Sequence, residues 1–242
     1  MVDFQFKEED LEGLHTLEAI SEARQFNEWM YREVSPFLSG RILEVGSGIG
    51  NLSSCFIRDG QDITMSEIRS AYLSRLQSSW PDKTAVHMDL VDPNFEETFA
   101  HLSQSFDSAF ALNVIEHIDD DTLALKNLMH LVKPGGKVLI LVPAHQMLYN
   151  KIDSGLAHFR RYNRNSLRGL MERSGLVVER TWMFNALGIP AWITGGLLFR
   201  ENEIGHGQMK AYDKLVPIAR ILDQLTFHRL GLSVIGLGVK TI

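Results

Sequence analysis

Four polar residues punctuate the first half of the chain at nearly even intervals. Glu44, Glu67, Asp89 and Asn113 are 23, 22 and 24 residues apart. Each stands at or just past the end of a short apolar run, within "ILEV", "ITMSE", "AVHMD" and "FALN". Any one alone would be an ordinary surface group. Four in step, one strand-helix unit apart, belong on one rim of one sheet, where open α/β sheets bind their ligands. The first of them opens "RILEVGSGIGN", with glycine at positions 46, 48 and 50. Glycine permits the tight turn and the close backbone approach that a nucleotide-like cofactor requires.

The type of cofactor is a question of charge. A dinucleotide site carries G-x-G-x-x-G with an acid about 20 residues on. Here the spacing is G-x-G-x-G, with Asn51 next, and Glu67 suits the ribose of either cofactor type. Glu44, Glu67, Asp89 and Glu116 surround the site with carboxylates, and no lysine or arginine lies within the loop. A pyrophosphate there meets repulsion of roughly 4 kcal/mol for each pair of unit charges 4 Å apart at an effective dielectric of 20. S-adenosylmethionine, with a sulfonium, an ammonium and one carboxylate, suits an acidic rim. A nicotinamide-dependent oxidoreductase and a non-catalytic cofactor-binding module are the alternatives.

A second constellation lies further on. "EHIDDD" (Glu116 to Asp121) and "DSGLAHFRRYNRNSL" (Asp153 to Leu167) bring histidines, acids and arginines into loops after the fourth and fifth strands. His117 and His158 are candidate catalytic groups, able to take a proton from an acceptor. Arg160, Arg161 and Tyr162 are candidate substrate-binding residues, the arginines suited to an anionic acceptor. Against these stand structural hydrogen bonds for the histidines, helix capping for the aspartates, and a solvated loop or ion pairs for the arginines. The remaining histidines have no metal-ligand spacing, and no metal is expected.

The elements that must hold these residues are legible from periodicity. Residues 9–38 carry apolar side chains at helical spacing and end at Pro36 and Gly40. Then strands and helices alternate: strands at 42–45, 63–65, 85–88 and 108–112, helices at 51–58, 68–80, 95–102 and 121–132. "KPGG" (Lys133 to Gly136) reads as a turn before a strand at 137–142. Such alternation means βαβ units and a parallel sheet. A polar loop runs to about Arg164, Asn165 can cap a helix over 166–173, and strands follow at 176–182 and 232–240. The expectation is a single domain over 1–242, with an N-terminal helical extension over 1–38 and an apolar, helical insertion over 185–230.

The composition is that of a soluble globular chain: 45% hydrophobic, 22% charged and a net charge of −6, a poor match to nucleic acid. The single cysteine, Cys55, precludes an internal disulfide and fits a reducing compartment. No basic stretch followed by an apolar core opens the sequence, so a cytoplasmic location is expected. Residues 182–199 form an uncharged stretch at the lower limit of a spanning helix, but Asn185, Pro190 and three glycines interrupt it. An acceptor cover, an interface or peripheral membrane contact suit it better, and monomer and homodimer both remain open.

Taken together, "ILEVGSGIGN", Glu67, "MDL", "FALNVIEHIDD" and "LVKPGGKVLILVP" closely resemble the Rossmann-like class I S-adenosylmethionine-dependent methyltransferases, over about residues 22–182 and again at the terminal strand. The resemblance is to the small-molecule branch. It implies a seven-stranded sheet of order 3-2-1-4-5-7-6, last strand antiparallel, with helices on both faces. It implies that Gly46, Ser47 and Gly48 approach the methionine part of the cofactor. Glu67, with Ile68 beside it, would bind the ribose hydroxyls, Asp89 and Leu90 the adenine, and Asn113 would lie beside the sulfonium. Glu44 is the usual acid at the end of the first strand. The D-x-x-x-x-H-x-R-R-Y pattern from Asp153 to Tyr162 resembles a bacterial subgroup, some of it tied to glycan or lipid pathways. The implied activity is methyl transfer to a small-molecule acceptor, lipid-like or glycan-linked and anionic, with S-adenosylhomocysteine as product.

Overall fold

The computed structural model describes residues 11–194 and 205–241. Its centre is one sheet of β1 (Arg41–Val45), β2 (Asp62–Glu67), β3 (Ala85–His87), β4 (Phe106–Leu112), β5 (Val132–Pro143), β6 (Leu176–Phe184) and β7 (Ser233–Lys240). The order is β3-β2-β1-β4-β5-β7-β6, as expected. The first five strands are parallel, and β7 runs antiparallel between β5 and β6. From β1 the chain winds outward through β2 and β3, then returns to place β4 on the other side of β1. That reversal makes β1/β4 the switch point, where the carboxyl ends of the strands leave a crevice.

The two faces of the sheet bury alternate residues, as the two-residue period of a strand requires. Ile42, Phe110, Leu139 and Leu141 face α2 (Arg24–Val34), α3 (Ser53–Arg58) and α11 (Val216–Leu225), with Trp29, Phe56 and Val216 in that layer. Leu43, Ala109, Val138 and Ile140 face the other way, onto α6 (Asp121–Leu131) and α8 (Arg164–Arg173). The remaining helices are α1 (Leu11–Ser21), α4 (Ser70–Ser79), α5 (Phe95–Thr98), α7 (Lys151–Gly155), α9 (Gly188–Trp192) and α10 (His206–Asp213).

Several boundaries differ from the sequence expectation. The helical run over 9–38 is two helices, α1 and α2, broken at Ala23, whose φ of −87° and ψ of 74° are not helical. At the break the Ile20 carbonyl accepts the Ala23 N–H and the side-chain N–H of Asn27. The apolar spacing hid the break because α1 and α2 both turn apolar residues inward. "KPGG" is not a turn between elements but a bulge within β5. Val132 pairs with Phe106 and Lys137 with Ser108, so three extra residues bow out, with Gly135 at φ +77°. Asn163, not Asn165, caps α8: its Oδ1 accepts from the N–H groups of Asn165 and Ser166, and the Ser166 hydroxyl accepts from its own. The polar loop after β5 holds α7, capped by Asn150, a short helix the sequence did not betray. The beginning of the expected first helix, and Phe199 with the tail of the apolar stretch, lie outside the described residues.

Candidate active site

The glycine loop leaves β1 at the switch point. Gly46 and Gly48 hold φ of +67° and +56°, left-handed values that glycine tolerates best. A Cβ at Gly46 would stand 2.4 Å from Val114 Cγ2, so the loop after β1 packs directly on the turn after β4. A Cβ at Gly48 would stand 3.2 Å from Leu17 Cδ1, which puts α1 over the loop. The Asn51 side chain fastens that helix by donating to the Leu17 carbonyl at 2.8 Å. Ser47 sits between the glycines, buried, its hydroxyl without a partner among the described residues.

Glu67 joins this loop to the end of β2. Its Oε2 accepts the Gly48 N–H at 2.8 Å, and its Oε1 accepts those of Ile68 and Arg69 at 2.9 and 3.0 Å. A carboxylate offers about four lone-pair directions. Three are engaged, so Oε2 keeps one for a further donor such as a ribose hydroxyl. Asp89 lies two residues past β3, half-buried, its Oδ1 accepting from Val91 N–H. Leu90 is buried beside it, its carbonyl held by the Asn127 side chain. Asn113 follows β4, exposed, in the left-handed region at φ +55°. The four strand-end residues thus share the carboxyl rim.

Glu44 occupies a different setting from the other three. It is buried, and the Ser53 hydroxyl of α3 donates to its Oε2. Burial lifts its pKa to about 7; the Ser53 hydrogen bond and the nearby Ser47 hydroxyl oppose this, and the charge of Glu67 adds a little. Its negative charge is therefore partly suppressed near neutrality, and Glu67 and Asp89 carry more of the electrostatic argument against a pyrophosphate than the sequence suggested. These residues still fit a cationic cofactor: a glycine cradle and a ribose-ready carboxylate, without a lysine or arginine among them. A groove of about 640 Å³ lined by Arg24, Glu28, Asn51, Arg58 and Trp80, among others, includes none of the four strand-end residues.

Beyond Asn113 the chain makes a short turn, Ile115–His117, and this delivers the second constellation. Glu116 is fully buried, and neither carboxylate oxygen has a hydrogen-bond partner among the described residues. Burial pushes its pKa up to about 8, Arg161 pulls it down and Asp153 pushes it up. The rings of His117 and His158 meet edge to face, 4.6 Å between centroids. His117 keeps an exposed edge, yet crowding desolvates the ring and His158 and Arg69 add positive charge, so its pKa is lowered. His158 is buried, and its Nδ1 lies 2.9 Å from Asp153 Oδ1. The carboxylate fixes that nitrogen as the protonated one, which leaves Nε2 for a second partner.

The arginine pair is engaged by acids of the chain itself. Arg160 donates to Asp121 Oδ2 and to Asp119 Oδ1, each at 3.0 Å. Arg161 is buried, gives its Nε–H to Asp153 Oδ1 at 2.8 Å and one Nη to the Ala144 carbonyl, and lies 4.4 Å over the Trp192 ring. Its Nη2 has no partner among the described residues. Tyr162 donates to Asp121 Oδ2 at 2.9 Å, and burial with that carboxylate raises its pKa. The sequence offered Glu116 as a rim carboxylate without assigning it a catalytic part, and gave Asp153 no role beyond opening the D-x-x-x-x-H-x-R-R-Y pattern. Only its burial distinguishes Glu116, and the link from Asp153 to His158 and Arg161 depends on α7 turning the chain back. Leu17 gave no signal, since its contact with Gly48 spans 31 residues.

The comparisons with known proteins agree with this geometry. A profile of a family described as a methyltransferase domain matches residues 17–181. The chain belongs to that methyltransferase family. Its fold is the class I, S-adenosylmethionine-dependent one, and S-adenosylmethionine is the cofactor of that class. A ubiquinone biosynthesis O-methyltransferase from Xanthomonas oryzae pv. oryzae (strain PXO99A) is 31% identical over 105 residues, 41% of either chain. The matched region thus spans about two fifths of that relative's length. Among solved structures, a SAM-dependent methyltransferase from Archaeoglobus fulgidus is similar at a TM-score of 0.59 and 14% identity, covering 90% of this chain and 94% of its own. Phosphoethanolamine N-methyltransferase 2 of Haemonchus contortus, solved with S-adenosyl-L-methionine, reaches 0.59 at 19% identity, over 90% of this chain and 52% of its own. At such identities the likeness is one of fold.

Proposed function

We propose that this chain is an S-adenosylmethionine-dependent O-methyltransferase acting on a small molecule with a hydroxyl group on an apolar body. The supporting observation is the juxtaposition of two constellations: Glu116 and His117 lie three and four residues beyond Asn113, and His158 packs on His117. In this reading Gly46, Ser47 and Gly48 hold the methionine part, Glu67 and Ile68 the ribose, Asp89 and Leu90 the adenine, and Asn113 faces the sulfonium. Glu44 supports the loop from behind through Ser53. The bound cofactor supplies an already activated methyl group, so the chain's task is to align the acceptor and handle its hydroxyl proton.

His117 and His158, with Glu116, are the groups placed to do this, and Asp153 keeps His158 in one tautomer. Arg161 and Trp192 close the far wall, Arg160 and Tyr162 tie the loop to Asp121, and the apolar residues around α9 suit the body of the acceptor. The internal pairing of both arginines favours a lipid-like acceptor over a strongly anionic one. An oxygen acceptor also agrees with the O-methyltransferase named above. The test is incubation with methyl-labelled S-adenosylmethionine and a panel of phenols, catechols and a lipid extract. Label on an acceptor oxygen, lost on replacing His158, supports the reading. Label only on nitrogen, or none with any acceptor, contradicts it.

A further inference from the structure

Glu116, His117 and His158 each present one donor atom, and the three atoms lie within 4.8 Å of one another. Two donors in adjacent positions around a metal at about 2.1 Å lie roughly 3 Å apart, so a side-chain movement of an ångström or so completes the shell. Glu116 is the part that can move most easily. Glu116 has no hydrogen-bond partner on either oxygen among the described residues, while His117 sits at the surface with its ring held by the backbone of Leu156 and Asn113, a contact that one ring nitrogen gives up to the ion. His158 is already oriented as metal-bound histidines are, its Nδ1 directed at the Asp153 carboxylate. Asp153 is held in turn by Arg161 Nε–H and Asn150 N–H, so the support is rigid.

The unpartnered carboxyl favours a cation. Arg161 balances Asp153, with which it forms a fully buried ion pair. Arg161 therefore gives Glu116 no hydrogen bond, and a bound cation would supply the partner that the Glu116 carboxyl lacks. We infer that Glu116, His117 and His158 form a binding site for a divalent first-row transition metal, with its open positions directed at oxygen donors of the acceptor. Two imidazoles and one carboxylate suit Mn²⁺, Fe²⁺, Co²⁺ or Zn²⁺ better than Mg²⁺ or Ca²⁺, which prefer all-oxygen shells. The acceptor class that such an ion selects is one with adjacent oxygen donors, such as a catechol. This rests on the methyltransferase reading for the acceptor's position, but metal binding is measurable without it.

The experiment uses the full chain, stripped with chelator and titrated calorimetrically with Mn²⁺, while Co²⁺ is added separately and followed by its visible absorption. S-adenosylhomocysteine binding is measured on each sample as a check of folding. One equivalent of Mn²⁺ is expected per chain, with affinity at least tenfold weaker in both Glu116→Gln and His158→Gln and S-adenosylhomocysteine binding unchanged. Asp153→Asn, which removes the carboxylate that orients His158 and also unpairs Arg161, should weaken the metal 10- to 100-fold in the chain that still folds and binds S-adenosylhomocysteine. If S-adenosylhomocysteine binds the native chain but Mn²⁺ and Co²⁺ do not, the metal site is overturned and the methyltransferase reading stands. If one metal equivalent binds equally well to both folded ligand variants, the site lies elsewhere and the inference fails. If the metal binds as expected but S-adenosylhomocysteine does not, the metal site survives and the methyltransferase reading falls.

Discussion

Replacing Glu44 by glutamine should make the protein more stable above about pH 5, with the gain growing until about pH 7 and then holding. The carboxyl is buried at the end of β1 with its pKa lifted from 4.5 to about 7. A group whose folded pKa is raised holds its proton longer when folded than when unfolded. Its stabilising contribution is complete below the unfolded pKa and is lost as pH rises toward the folded one. At pH 8 the native chain has therefore given up about 3 kcal/mol through this residue. Glutamine is uncharged at every pH, and its amide oxygen can accept the same Ser53 hydrogen bond. Urea unfolding followed by tryptophan fluorescence should show the two proteins close together at pH 4.5. At pH 8 the variant's midpoint should be about 1 M higher, taking a slope of ~3 kcal/mol per M. An equal gap at both pH values, or a less stable variant at pH 8, would refute the reasoning. Either result would mean that Glu44 stays ionised and is stabilised by its setting.

Three further substitutions probe the site's support. Gly46→Ala places a Cβ 2.4 Å from Val114 in left-handed backbone, so a loss of about 2–4 kcal/mol is expected in denaturant unfolding, together with weaker S-adenosylhomocysteine binding. Asp153→Asn strands the buried Arg161, and breaking such a pair costs about 3–5 kcal/mol; a shift in Tm under about 3 °C would speak against a buried ion pair here. Arg160→Ala removes partly exposed pairs with Asp119 and Asp121, so calorimetry should find less than about 1 kcal/mol of change.

The sheet was legible because each strand and helix carries its own period, and because the strand-end residues recur once per βα unit. Order and direction came from resemblance, since periodicity alone does not say that β4 returns beside β1. What the sequence concealed was of two kinds. Local geometry went astray where one pattern serves two structures: α1 and α2 share one apolar spacing, and "KPGG" bows out of β5 while staying within the strand. Tertiary facts had no local signal at all. Nothing near Glu44 announces that Ser53 and burial will mute its charge. Nothing near Arg161 announces that Asp153 will consume its Nε–H, or that Glu116 will be left without a partner.

The rim built by Gly48 and Glu67 is the proposed seat of S-adenosylmethionine. Calorimetric titration with S-adenosylhomocysteine tests this most directly, on the native chain and on Glu67→Ala, with NADH as the competing ligand. One site is expected on the native chain, with no heat from NADH and a loss of about 10- to 100-fold in the variant. That loss corresponds to removal of a charged hydrogen bond worth roughly 1.5–3 kcal/mol. Binding of NADH in place of S-adenosylhomocysteine, or equal S-adenosylhomocysteine affinity in the native and Glu67→Ala chains, would contradict it.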